Sequence, residues 1–199
     1  MRLPSSNSRL IACALAGGVL ALATAAQAQT YDERFYGSGP NYRTSYAPGY
    51  SASPIAKTTV PFGASYAPGT IVINTTERRL YYVLGGGQAL RYGIGVGRVG
   101  FTWAGVTSVA SKREWPDWTP PIEMIRRRPD LPRHMKGGID NPLGARAMYL
   151  GSSLYRIHGS NEPETIGQAV SSGCFRMTNE DVVDLYNRVR IGAKVIVLR

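Results

Sequence analysis

Cysteine and histidine are nearly missing from this sequence, with two of each among 199 residues. Cysteines at 13 and 174 cannot supply a disulfide framework, and one Cys beside two His without paired spacing cannot close a zinc set. No metal and no cofactor are therefore expected. Acidic residues are also few, 13 against 23 Lys+Arg, which leaves a net charge of +10. That balance suits an anionic partner but does not choose among nucleic acid, a lipid surface and an acidic polymer. No recognisable nucleic-acid-binding motif is present, so nucleic acid is not an expected partner. Beyond residue 28 no run is long and apolar enough to span a membrane. A phosphate loop is lacking too. Gly85-Gly86-Gly87 has no Lys-Ser/Thr after it and no helical pattern follows, so it reads as a hairpin turn.

The N-terminus has the layout of a secretory signal peptide. Arg2 and Arg9 form a short basic region, Leu10 to Ala26 is apolar or small throughout, and Ala26-Gln27-Ala28 is a small-x-small cleavage signal. Cleavage is expected after Ala28, leaving no stable membrane anchor and placing the protein outside the cytoplasm. Leu10-Ile11-Ala12-Cys13 imitates a lipoprotein processing box but stands at the start of the apolar run, where such a box belongs at its end. Loss of residues 1–28 takes Cys13 with it, makes Cys174 the sole thiol and lowers the net charge from +10 to +8.

Residues 29–68 are rich in Tyr, Ser, Gly and Pro and poor in Leu, Val and Ile, and they repeat one pentapeptide at Ser45–Gly49 and Ser65–Gly69. Such a stretch buries too little apolar surface to fold and is expected to be a flexible tether. The folded domain is expected over 69–199. Thr70–Ile73, Leu80–Leu84 and Ala89–Val96 are short β-rich runs divided by polar and Gly turns. Prolines at 116, 120, 121, 129, 132 and 142 exclude regular structure over most of 112–144, a segment of the kind that forms functional lids. Arg146–Leu150 and Ser153–Ile157 read as strands, the second delivering His158 at its end. Val182, Leu185, Tyr186 and Val189 then share one helical face, with Thr178 and Asp181 as a capping box and Gly192 as the stop. Lys194–Leu198 closes the chain as a strand. The expected fold class is mainly β, with one short helix near the C-terminus.

A thiol is only a few per cent ionised near neutral pH, so an attacking Cys needs a base. Imidazole suits that task, since its ordinary pKa lies near about 6.5. His134 stands among Pro132, Arg133 and Lys136 in the irregular segment. His158 ends an apolar strand and precedes Gly159, so it is the expected base. Gly173 permits a tight turn that points successive backbone N–H groups at one spot, where they would hold an oxyanion. Arg176 lies two residues beyond Cys174 and, in an extended chain, faces the same side. It could bind a substrate carboxylate or support the thiol. Glu162 and Glu164 are near His158 in sequence but sit in a Pro-containing loop, so a backbone carbonyl is the expected partner of the imidazole.

His158-Gly159, followed sixteen positions after His158 by the Cys174 of Ser171-Ser172-Gly173-Cys174-Phe175-Arg176-Met177, resembles the signature of the YkuD-type L,D-transpeptidase family. Asn141-Pro142-Leu143-Gly144 and the Gly-rich β runs are similar to its catalytic domain, and the resemblance covers about 69–199. One departure stands out: the family often has His directly before the Gly-Cys pair, where this chain has Ser172. The resemblance implies a β-sandwich or barrel. It also implies Cys174 as nucleophile, His158 as base, the Gly159 carbonyl orienting His158, and backbone N–H groups of Ser172, Gly173 and Cys174 as oxyanion hole, with Ser171 and Arg176 as binding or supporting residues. The implied reaction is attack on the diaminopimelate carbonyl of a peptidoglycan stem tetrapeptide, release of D-Ala, and transfer to an amine of another stem or of an outer-membrane protein, in the periplasm. Carbapenems would acylate the thiol. With water as acceptor the same residues would make an L,D-carboxypeptidase. A non-catalytic wall-binding module, with Cys174 a bystander, is the alternative of another class.

Overall fold

In the computed structural model, residues 53–63 and 65–199 are described. The expected signal peptide and most of the expected tether lie outside them. The polar-bounded apolar runs form strands at nearly their expected positions: β1 Thr58–Pro61, β2 Ile71–Asn74, β3 Arg79–Gly85, β4 Gln88–Gly93 and β5 Val96–Gly97. They are followed by β6 Gly105–Glu114, α1 Ile122–Arg127, β7 Arg146–Leu150, β8 Arg156–His158, β9 Ala169–Ser171, β10 Phe175–Arg176, α2 Asn179–Arg188 and β11 Lys194–Leu198. Among the described residues no helix is long and apolar enough to cross a membrane.

Nine strands form one sheet in the order β1-β4-β3-β2-β11-β6-β7-β8-β10, while β5 and β9 make a separate pair. The continuous apolar runs of β2 and β11 occupy the centre, where both faces are covered, and Ile71, Ile73, Val195 and Val197 are almost fully buried. Gly86 and Gly87, with φ of +59° and +73°, supply the left-handed pair that closes the tight β3–β4 hairpin. The sheet bends at β6. Its first half pairs with β11 and its second half with β7, with a register shift between Val109 and Ser111. The sheet ends at β1 and β10 and does not close into a barrel, so of the two expected architectures only the open, sandwich-like one applies.

β1 and α1 are among the elements that the sequence did not predict. β1 lies inside the stretch expected to be tether and pairs antiparallel with β4, while the Ile55 side chain packs against Gly93. A strand of low hydropathy can form at a sheet edge because half its backbone is paired whatever its side chains are. α1 fits the six-residue window between Pro121 and Arg128 inside the Pro-rich segment. That segment is tied down by buried Asn141, whose Nδ2 donates to the Pro116, Met135 and Lys136 carbonyls at 3.2, 3.3 and 3.0 Å.

α2 covers the sheet with Val182 and Leu185. It ends at Arg188, a turn earlier than Gly192, because Val189 is already extended. Thr178 is fully buried and its Oγ1 accepts the Asp181 N–H at 3.2 Å. Thr178→Ala is expected to cost about 1–2 kcal/mol, read as a lower urea midpoint at unchanged m-value.

Candidate active site

The parallel pairing of β8 with β10 builds the site. Its register sets Phe175 beside Ile157 and Arg176 beside His158, which puts Cys174 next to Arg156 at the strand entrance. Parallel neighbours need a crossover of a dozen or more residues. The chain between His158 and Cys174 is that crossover, passing through a short 3₁₀ turn at Pro163–Thr165 and through β9, which pairs with β5. The sixteen-position spacing thus has a topological cause. Along β8 and β10 the side chains of 156, 158, 174 and 176 project to one side, and all four line a cavity of about 870 Å³. The cavity's far wall comes from α1 and the Pro-rich segment, including Met124, Arg127 and Met135.

His158 is 5% exposed, and its Nδ1 lies 2.6 Å from the Gly159 carbonyl. A carbonyl can only accept, so Nδ1 carries the proton and Nε2 is left as the basic nitrogen. Gly159 is close-packed: a Cβ there would collide with Asn179 Oδ1, which accepts the Ala145 N–H at 2.8 Å. Burial, then the Arg176 charge, push the His158 pKa down from 6.5 to about 3; the Gly159 carbonyl opposes this and Arg156 adds to it. His134 does not line the cavity. It stands exposed, with Nε2 3.6 Å from Asp117.

Cys174 is half-buried, and its Sγ lies 3.7 Å from the Leu154 carbonyl. Burial pushes its thiol up from 9.0, with Arg156 and then Arg176 pulling the other way. Both shifts favour the neutral form, thiol at Cys174 and imidazole at His158. Alkylation by iodoacetamide is accordingly expected to be slow at pH 7 and still accelerating above pH 9, followed by intact mass. A rate plateau reached below pH 8 would mean a preformed thiolate.

The turn before Cys174 is braced from three sides. Ser171 Oγ donates to the Cys174 carbonyl at 2.6 Å and accepts the Gly173 N–H at 3.1 Å. Trp103 Nε1 donates to the Gly173 carbonyl at 3.0 Å and stacks on Tyr155 at 4.7 Å. Gly173 has φ +106°, and a Cβ on it would meet Tyr155 Cε1 at 2.5 Å, so no other residue fits. The Gly173 N–H, expected to face an oxyanion with those of Ser172 and Cys174, here donates to Ser171 Oγ.

Arg176 pairs with Glu162 at 2.7 Å. Glu162 thus enters the site through Arg176 and not through His158. Arg156 was not singled out in the sequence, although its i,i+2 relation to His158 on a strand would have placed it on the same face. Arg98 and Phe101 were also missed, because nothing local ties a loop after β5 to Ser172. Among the described residues no cluster of three or more His, Cys, Asp or Glu is placed to hold a metal.

Comparison with known proteins gives a consistent result. The sequence model of a family described as YkuD, L,D-transpeptidase catalytic domain, matches residues 68–197. A probable L,D-transpeptidase ErfK/SrfK of Escherichia coli is 39% identical over 137 residues, 64% of this chain and 43% of that protein. A putative L,D-transpeptidase YqjB of Bacillus subtilis is 31% identical over 146 residues, 69% of this chain and 76% of that protein. The match thus spans under half the length of the E. coli relative. An L,D-transpeptidase from Mycobacterium smegmatis shares the fold at TM-score 0.53 and 17% identity, over 65% of this chain and 58% of that one. A Brucella melitensis structure described as a probable carnitine operon oxidoreductase is 47% identical at TM-score 0.50, over 74% of this chain and 96% of that one.

Proposed function

Given that this chain belongs to the L,D-transpeptidase catalytic-domain family, we propose that it is a cysteine acyltransferase of peptidoglycan, exported to the periplasm by its N-terminal signal peptide. The observation that carries the reading is the shared cavity wall: the sole thiol outside the signal region and an imidazole whose Nδ1 is fixed on the Gly159 carbonyl. The description of the Brucella relative as an oxidoreductase is not carried over, since family membership and the Cys–His cavity both favour acyl transfer.

In the proposed reaction His158 Nε2 takes the thiol proton as Cys174 Sγ attacks the diaminopimelate carbonyl of a stem tetrapeptide. The N–H groups of Ser172 and Cys174 stabilise the oxyanion. The C–N bond then breaks, and the imidazolium returns the proton to the departing D-Ala amine, leaving a thioester. An acceptor amine loses a proton to His158 as it attacks, the S–C bond breaks, and the thiol is restored. The acceptor is an amine of a second stem or of an outer-membrane protein. The basic balance, +8 without residues 1–28, suits a carboxylate-bearing polymer.

Incubating the protein with tetrapeptide muropeptides and reading products by mass spectrometry tests this. Cross-linked dimers support transfer, tripeptides alone would make it an L,D-carboxypeptidase, and unchanged substrate would sink the reading. Arg176→Ala is expected to slow acylation about 10- to 100-fold, because it leaves Glu162 unpaired in the cavity and removes a positive neighbour of the thiol. Unchanged acylation and transfer in a folded variant would show that Arg176 neither binds nor supports.

A further inference from the structure

Five arginines line the cavity, and they differ in how their charge is answered. Arg176 is paired with Glu162 and Arg128 with Asp130. Arg156 donates to the Leu154 carbonyl at 3.0 Å, lies 5.1 Å from the Tyr149 ring centre and stands beside the thiol. Arg98 and Arg127 have no carboxylate partner among the described residues. Both are held near one ring, with Arg98 4.2 Å and Arg127 5.4 Å from the centre of Phe101. Two guanidiniums drawn to the same aromatic ring repel each other, and an anion bound by both would relieve that repulsion.

The position of this pair gives the anion a place in the reaction. Arg98 Nη1 donates to Ser172 Oγ at 3.4 Å, two residues before the nucleophile. Ser172 is also the position at which the chain departs from its family's usual His, and the smaller side chain is the one that Arg98 reaches. A carboxylate held there would stand on the turn that carries the nucleophile. In the proposed reaction the nearest carboxylate on the leaving side of the scissile bond is that of the terminal D-amino acid. Arg98 comes from the loop after β5 and Arg127 from α1, so the pair bridges the cavity's sheet-side rim to its Pro-rich wall.

We propose that Arg98 and Arg127, gathered on Phe101 beside Ser172, form the subsite for the free C-terminal carboxylate of the donor peptide. The subsite rests on the acyl-transfer reading and makes the enzyme select donors that end in an ionised residue. Planar guanidinium donors suit a carboxylate, and two of them fix its orientation.

The test pairs two donor tetrapeptides, one ending in free D-Ala and one in D-alaninamide, with the full chain, Arg98→Gln and Arg127→Gln. Release of D-Ala or D-alaninamide is followed as kcat/KM. The unaltered chain is expected to favour the free acid by about 10- to 100-fold, the effect of a charge-assisted contact. In either variant that ratio is expected to fall to within about threefold. Arg127 is exposed on α1, so its variant reads the subsite even where Arg98→Gln disturbs the turn at Ser172. A ratio unchanged in both variants, or an unaltered chain that does not prefer the acid, overturns the subsite. A chain inert toward both peptides overturns the acyl-transfer reading and the subsite with it.

Discussion

Cys174→Ala is expected to lower donor acylation by roughly 10⁴- to 10⁶-fold, since removing a nucleophile removes the covalent route itself. No neighbouring group can substitute. Beyond residue 28 the sequence contains no other thiol, and Ser171, the buried hydroxyl three residues away, has its Oγ bonded to the Cys174 carbonyl at 2.6 Å and to the Gly173 N–H at 3.1 Å. The loss should be purely chemical. Cys174 donates only a weak contact to the Leu154 carbonyl, so the alanine variant is expected to keep the melting temperature of the parent within a few degrees. Exposure to a carbapenem followed by intact-mass analysis gives an independent reading: one adduct on the unaltered chain, mapped by peptide fragmentation to residue 174, and none on the variant. Turnover within tenfold of the parent would remove Cys174 from the reaction, whereas no turnover and no carbapenem adduct on either chain would leave the wall-binding module as the better account.

The second large effect is that of the base. His158→Gln is expected to slow acylation about 10²- to 10⁴-fold, because the thiol, already pushed up by burial, then has no acceptor for its proton. The pH profile carries more information than the rate. With its pKa pushed down to about 3 by burial and by Arg176, His158 stays a neutral base across pH 5–8, and the acid side of the parent profile is expected to be flat there. A loss of rate centred near the ordinary 6.5 would contradict that placement. Stability follows from the same shift. The unfolded chain takes up a proton at 6.5 and the folded chain only near 3, so His158 destabilises the fold progressively as pH falls from 6.5 toward 3. Asp181 acts with the opposite sign. Burial raises it from 3.8 to about 6, so its contribution favours the fold at low pH and fades as pH climbs through 6. The Gln variant should therefore lose less stability than the parent between pH 7 and pH 5, measured by urea titration at each pH.

How legible the molecule is from its sequence depends on the range of each interaction. The β runs at 71–74, 80–84 and 194–198, the Gly hairpin and the Thr178 cap are local patterns, and the chain follows them. The ten-residue β6 was not visible as a strand. Only Val109 in it is buried, and its two halves answer to different partners, β11 and β7, so no single period runs through it. β1 was hidden because an edge strand needs little hydrophobic content. The irregular reading of 112–144 missed α1 because prolines bound that helix without entering it.

The sequence by itself determined the chemistry available to this protein. Beyond residue 28 it holds one thiol and two imidazoles, and Gly159 and Gly173 mark the two places where backbone must come close, as collisions of any added Cβ with Asn179 and Tyr155 attest. Residue type and short-range spacing are written in the chain directly. The tertiary structure alone decided who meets whom: the parallel β8–β10 pairing that lays Cys174 along Arg156, the engagement of Gly173 by Ser171, and the gathering of Arg98 and Arg127 on Phe101. Those contacts depend on crossovers and on strand register, where a shift of one residue would turn every side chain to the opposite face, and no local pattern carries that information.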